Sequence, residues 1–423
     1  MRQRIAIVGA GWAGLAVAVA CAEQGHAVTL VEASRVAGGR ARTLALALPD
    51  GGTTLVDNGQ HILIGAYAET LRMMEKVGVR PADALLRLPL TLLDPQGHGL
   101  VLPAWPAPWD AAAGILRARG WSWRDKLSLL RASTAWQLAR FRCAEHLSVA
   151  ELTRNLTQRV RDELIEPLCV AALNTPADRS SASVFLRVLG DGLFGKGWGG
   201  WGGSNLLLPK QELGALFPDA AQRWLAAHSA QVRLGQRVQA LQAQGTGWAL
   251  DSEDFDAVIL ATPSTEAARL VERSGVAADA WLRDATALAF EPIATVYAIG
   301  GPALPLPMLA LRSGPAQFVF DRAQLGGPPG LLAFVASACR GEKDAIEREV
   351  VAQAAALGWN VRPVQTVVEK RATFACVPGL RRPAIAIAPG LWACGDYVEG
   401  PYPATLEGAV RAALAVSAQV GPA

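Results

Sequence analysis

Residues 5–32, IAIVGAGWAGLAVAVACAEQGHAVTLVE, decide the fold. A short β-type run, Ile5 to Val8, leads into Gly9, Gly11 and Gly14 in GxGxxG spacing. An Ala-rich helical stretch follows, and then a second run, Ala27 to Val31, with Glu32 at its end. This is the pattern of a βαβ unit that binds a dinucleotide. Gly9 permits the tight turn, Gly11 lets the backbone approach a pyrophosphate, Gly14 lets helix and strand pack closely, and the helix N-terminus faces the phosphates. A carboxylate at the end of the second strand accepts hydrogen bonds from the adenosine ribose, and Glu32 there repels a 2′-phosphate, which disfavours NADP. The same stretch holds 18 uncharged residues behind Arg2 and Arg4 and so mimics an export signal or a membrane span. A buried parallel strand followed by a buried helix is apolar on all sides, which explains the hydropathy without a membrane.

The glycine motif alone does not choose between NAD and FAD. Two further segments favour FAD. Val36 to Thr43 reads VAGGRART, where Gly38, Gly39 and Arg40 can wrap a pyrophosphate from the other side with charge-assisted hydrogen bonds. Near the C-terminus, Gly395-Asp396 is followed by PATLEGA at 403–409, a strand end, a loop and a helix start. Asp396 can bind ribitol or pyrophosphate groups, and the free N–H groups of a helix beginning near Thr405 suit the negative charge that reduced flavin carries around N1 and O2.

The whole sequence of 423 residues bounds the rest. It has 51% hydrophobic and 18% charged residues, and 40 Lys+Arg against 37 Asp+Glu leave a formal charge of +3. That is a folded, apolar-rich chain of two or three domains, neither disordered nor coiled coil, with too little net charge for a nucleic-acid partner. Six cysteines without CxxC or Cys/His spacing suggest no metal site and no disulfide framework, so a reducing cytoplasm fits best.

Along the chain, β-like runs flank a turn at Asp94-Pro95-Gln96-Gly97, a mostly helical section spans about 110–190, and GKGWGGWGG at 195–203 forms a mobile or tightly turning loop. A buried run ending at Ala261-Thr262-Pro263 returns to the first domain. The fold class expected is α/β: a Rossmann-like FAD-binding domain interleaved with a mixed α+β, largely helical substrate domain. The expected limits are 1–85, 204–283 and 376–423 for the first, and 86–203 and 284–375 for the second.

The glycine motif, GGR, ATP at 261–263 and the GD…EGA segment together resemble the flavin amine oxidase and phytoene desaturase superfamily over the whole chain. DNGQHILIGAY at 57–67, PLCVAALNTP at 167–176, LLLP…LGALFP at 206–218 and FEPIATVY at 290–297 resemble, more narrowly, the hydroxysqualene dehydroxylases of bacterial hopanoid synthesis. That resemblance implies non-covalent FAD, a C30 isoprenoid substrate, hydroxysqualene, reduced to squalene and water, and an external reductant for the flavin. Carried over by position, the cofactor neighbours it implies are Gly9, Gly11, Gly14, Glu32, Gly38, Gly39, Arg40, Gly59, Gln60, Val238, Gly395, Asp396 and Thr405, with Val238 acting through its backbone at the adenine.

Such a reaction needs a long, dry apolar cavity, and the aromatic faces of Trp198, Trp201, Tyr297 or Tyr402 are candidates to face an allylic cation. His61 and Glu291 are the candidate proton donors, each with a structural alternative: His61 bonded to a backbone carbonyl, Glu291 in a surface ion pair. Residues 115–142 hold seven Lys/Arg, one Asp and three Trp, the composition of an interfacial segment, or else of an exposed, solvated helix. In the first case the protein sits peripherally on the cytoplasmic face of a membrane. Three competing functions remain in view. One is oxidative desaturation of a polyene. Another is amine oxidation, disfavoured because only Tyr67, Tyr297, Tyr397 and Tyr402 are available to cage a flavin. The last is a non-catalytic prenyl-binding protein, disfavoured by the intact Gly9, Glu32, Arg40 and Asp396.

Overall fold

The computed structural model describes residues 1–195 and 197–423; Lys196, in the glycine-tryptophan run, lies outside the described residues. The N-terminal apolar stretch is the strand Arg4–Val8 followed by the helix Trp12–Glu23, with every residue from Trp12 to Cys21 buried. All faces of this helix are covered because it lies against the sheet and packs on the helices Leu406–Val420 and Pro218–Ala227. Among the described residues no helix is long and apolar enough to cross a membrane.

The sheet has six strands in the order Gln231–Leu234, Ala27–Glu32, Arg4–Val8, Ala257–Leu260, Leu391–Ala393 and Ala386–Ala388. The first five run parallel and the last is antiparallel. In register, Val8 pairs with Val31 and with Leu260, so the segments beginning at Gly9, Glu32, Ala261 and Cys394 all emerge at the same carboxyl edge. Open α/β sheets bind their ligands outside this edge.

A second, antiparallel sheet is ordered Met308–Ala310, Phe318–Asp321, Leu332–Ser337, Phe290–Ile299 and Arg362–Phe374. Its side chains alternate. Val296, Val319 and Phe334 pack with Ile346 and Val350 of the helix Lys343–Ala356, while Phe318, Phe320 and Val335 face the other way, toward the first domain's cavity. In a separate three-stranded sheet, Leu206–Pro209 pairs with both Leu63–Ile64 and Leu85–Leu88. The strand Leu85–Leu88 therefore runs across the limit expected at residue 86.

The helical section is broken into short pieces, among them Trp109–Arg117, Trp123–Leu138, a π-turn at Arg161–Ile165 and Ala182–Phe194. Residues 115–142 thus form no single amphipathic helix. Trp121 and Trp136 are buried, and the exposed apolar side chains begin upstream, at Trp105 and Trp109, and continue through Leu116, Trp123, Leu127 and Leu138.

Candidate active site

The first turn is built by backbone demands that only glycine meets. Gly9 has φ +107°, its N–H donates to the Val31 carbonyl at 2.7 Å, and a Cβ there would stand 2.6 Å from the Ala261 oxygen. A Cβ on Gly14 would lie 1.8 Å from the Gly9 oxygen, so helix and turn touch directly. At Gly11, by contrast, a Cβ would meet nothing within 4 Å. Gly11 caps the helix Trp12–Glu23, which has no side-chain cap and no acidic residue in its first turn, so its free N–H groups suit an anion. The second glycine loop lies against the first: the Gly38 N–H donates to the Ala10 carbonyl at 2.8 Å, and Gly11 and Gly38 form a β-bridge.

Charged groups complete the cradle. The Glu32 carboxylate accepts from the Ala10 and Ser34 N–H groups, each at 2.7 Å, and lines the cavity. Arg40 donates to Asp396 at 2.5 Å and to the Ala372 carbonyl at 2.9 Å. Burial opposes the Arg40 charge, but the Asp396 carboxylate more than offsets it and holds the guanidinium pKa above its ordinary value. The two residues expected to reach the cofactor separately are therefore joined to each other.

Together these groups enclose about 780 Å³ at the carboxyl edge of the parallel sheet. Of the expected cofactor neighbours, Gly14 alone is set back from this cavity, as its packing task requires; all the others line it. The Val238 carbonyl also accepts from Arg269 at 3.1 Å. Gln60 accepts at 3.1 Å from Arg322, a buried cation that nothing in the sequence pattern singled out.

The two candidate proton donors separate. His61 lines the cavity, and its Nδ1–H donates to the Gly59 carbonyl at 2.7 Å. Burial pushes its pKa below the ordinary imidazole value, so the ring is neutral near pH 7 and its remaining nitrogen is an acceptor. Glu291 lines neither cavity, and its carboxylate is held by Arg179 at 2.6 Å.

A second cavity of about 390 Å³ opens among the helices. Leu92, Leu129, Ile165, Leu168 and Leu189 are typical of its walls, and among the described residues no Asp, Glu, Lys, Arg, His or Cys lines it. It meets the first cavity at Ile62, Tyr67, Ala171, Ala172, Phe318 and Thr405, which line both. Of the aromatic residues expected to face substrate, only Tyr402 lines it. Trp198 and Trp201 pack edge-on against each other at 5.1 Å, and Tyr297 is buried with its hydroxyl donated to the Asp57 carbonyl at 2.7 Å. Tyr67, which ends the DNGQHILIGAY string and which the sequence offers only as a ring to cage a flavin, lines this cavity too.

A glycine-lined cradle at the carboxyl edge of a parallel sheet, meeting a cavity free of charge, defines an FAD-dependent oxidoreductase. The chain belongs to the family of flavin containing amine oxidoreductases, whose model matches residues 12–421, and its cofactor is FAD. Gly11, Glu32, Arg40 and Asp396 fit that cofactor through the open helix terminus and the charged walls just described, whereas the helix Leu406–Val420, expected to offer free N–H groups, is capped by the Thr405 hydroxyl and carries Glu407 in its first turn. The chain is 25% identical to the hydroxysqualene dehydroxylase of Zymomonas mobilis, covering 96% of each, and 26% identical to that of Rhodopseudomonas palustris, covering 97% of this chain and 96% of the relative. It is also 29% identical to the 15-cis-phytoene desaturase of Synechococcus elongatus over 44% of this chain and 41% of that protein. An oxidoreductase of Methanosarcina mazei has the same fold, with TM-score 0.72 at 16% identity, covering 98% of this chain and 99% of that one.

Proposed function

We propose that this protein reduces hydroxysqualene to squalene, releasing water. The observation that carries the proposal is the junction of a charge-free cavity with the FAD cradle. Bound FAD, once reduced by an external donor, supplies the hydride. The chain's own walls do the rest. Each 100 Å² of hydrocarbon they cover contributes roughly 2.5 kcal/mol of binding, and the exclusion of water protects an allylic cation from recapture. Tyr67, which lines both cavities, brings an aromatic ring to the junction that is suited to stabilising such a cation, whereas the Tyr402 ring already lies beneath the Arg411 guanidinium at 5.0 Å.

A water-insoluble substrate must arrive from a membrane. The apolar cavity reaches Pro108, Trp109 and Ala112, beside the exposed patch of Trp105, Trp109, Leu116, Trp123 and Leu127. Arg117 lies over Trp105 at 4.9 Å and Lys126 over Trp123 at 5.3 Å, so cations flank the exposed rings as a surface that rests on anionic headgroups requires. Peripheral docking at this face brings the cavity mouth to the bilayer.

The test is anaerobic. Photoreduced holoenzyme is given hydroxysqualene while flavin absorbance is followed and lipids are extracted for mass spectrometry. One squalene per flavin reoxidised is the expected result. The partial likeness to a phytoene desaturase supports a second reading, in which hydride runs from a polyene to the flavin. Bleaching of the oxidised enzyme by squalene or another polyene, with no turnover of hydroxysqualene, would establish it.

A further inference from the structure

We propose that Tyr67 donates the proton that carries away the substrate's hydroxyl group as water, a role that rests on the dehydroxylation reading above. The junction of the two cavities is the place where a hydrocarbon in the charge-free cavity can meet the cofactor. Of the six residues lining both cavities, Ile62, Ala171, Ala172 and Phe318 carry no O–H or N–H in their side chains, which leaves Tyr67 and Thr405.

Thr405 has already committed its proton: its hydroxyl donates to the Tyr402 carbonyl at 2.7 Å and accepts from the Gly408 N–H at 2.9 Å. The Tyr67 phenol is hydrogen-bonded to that hydroxyl, which has given its proton to Tyr402 and can only accept, so the phenol proton rests on a hydroxyl already taken by Gly408 and has to turn from it to the substrate oxygen. A phenol is a far stronger acid than an aliphatic hydroxyl, and Tyr67 is the better donor of the two. His61 and the carboxylates Glu32, Glu266, Glu369 and Asp396 line the FAD cavity but not the apolar one.

The phenol is also held in place. Tyr67 precedes the helix Ala68–Lys76, whose first N–H groups, those of Glu69 and Thr70, donate to the fully buried Glu407 at 3.2 and 2.9 Å. Its ring stands edge-on to Tyr402. Burial, and then the Glu407 charge, push the phenol pKa up, so it stays protonated across the physiological range.

In the step itself the allylic C–O bond breaks and its electron pair leaves on oxygen. That oxygen takes the Tyr67 proton and departs as water, the new C–H bond forms with a hydride drawn from reduced FAD, and the phenolate regains its proton from solvent. Hydroxide, with a conjugate-acid pKa of ~15.7 in bulk water, is a stronger base than the phenolate, so the transfer is downhill.

The test uses FAD-loaded wild type and Tyr67→Phe. In the oxidised enzyme no turnover of the alcohol occurs, and binding of hydroxysqualene and of squalene is followed by perturbation of the flavin spectrum. Wild type is expected to bind the alcohol about 5- to 10-fold more tightly than the hydrocarbon, and Tyr67→Phe to bind the two alike, with flavin content and squalene affinity unchanged. In single turnovers of photoreduced enzyme, Tyr67→Phe should slow squalene formation at least ~100-fold. A variant that keeps both the preference and the rate, beside an active wild type, overturns the assignment of Tyr67 alone. A wild type that converts no hydroxysqualene overturns the reaction and this role with it.

Discussion

The two cavities meet at six residues yet are specified by opposite means. The FAD cradle is made of backbone geometry and charge: a turn at Gly9, an open helix end at Gly11, and a carboxylate and an ion pair contributed by Glu32, Arg40 and Asp396. The apolar cavity is made of bulk, from short helices and loops that contribute Leu, Ile, Ala and aromatic side chains. A site of the first kind tolerates few substitutions, because an added atom meets backbone at Gly9 and Gly14 and intrudes on the open space in front of the helix end at Gly11. A site of the second kind tolerates volume-conserving exchange almost anywhere and responds mainly to a change of volume or polarity. One chain can therefore keep its cofactor chemistry while its substrate range drifts.

The sharpest way to break that contrast is Gly14→Ala. Its methyl would stand 1.8 Å from a carbonyl oxygen that belongs to the turn itself. The cost should exceed the ~1–3 kcal/mol of ordinary overpacking, and the purified variant should be colourless. Retained flavin after gel filtration would show that the turn can yield.

Ala172→Trp acts on the seam. Ala172 lines both cavities, and a large ring there closes the passage without touching the glycine loops. Flavin content should be normal, while squalene formation from hydroxysqualene falls at least ~100-fold, since a small displacement from productive geometry already costs that much. Loss of flavin together with activity would mean that the two cavities are not separable.

A change that leaves the chemistry alone tests the outer end of the apolar half. Replacing Arg117, Arg119, Arg124 and Lys126 together by Gln removes up to about 1 kcal/mol of attraction per residue, so affinity for anionic liposomes should drop by up to about 1000-fold, while FAD binding is unaffected. Unchanged liposome binding would leave the basic residues as ordinary solvated groups.

The same contrast explains what the sequence discloses. Gly9, Gly14 and Glu32 are legible because each answers a demand set within one βαβ unit, where spacing along the chain is spacing in space. The Arg40–Asp396 pair is not legible, because its partners lie 356 residues apart and nothing local names one to the other. Trp198 and Trp201 look like cavity walls in sequence, but their rings pack on each other. The helix Trp123–Leu138 buries Trp136 and Leu129 while exposing Trp123 and Leu127, and its composition is the same whichever face is buried. Tyr67 becomes visible only when two cavities contributed by distant segments are seen to share a wall.

The subtlest difference between the halves is their response to pH. Apart from its two phenols the apolar cavity has no titratable lining among the described residues, whereas Asp57 is buried beneath the cradle, next to Asn58 and Gly59. Burial raises its pKa from the ordinary 3.8 to about 7, against the Leu213 N–H it accepts at 2.7 Å and the Arg322 charge. Between about 4 and 7 the folded protein then holds a proton that the unfolded chain has lost. Stability is fully present below that window and falls as the pH rises through it. Asp57→Asn stays neutral and can still accept from Leu213, so its Tm measured from pH 4 to 8 should decline less steeply than that of wild type. Parallel Tm profiles would remove Asp57 as the source of that slope.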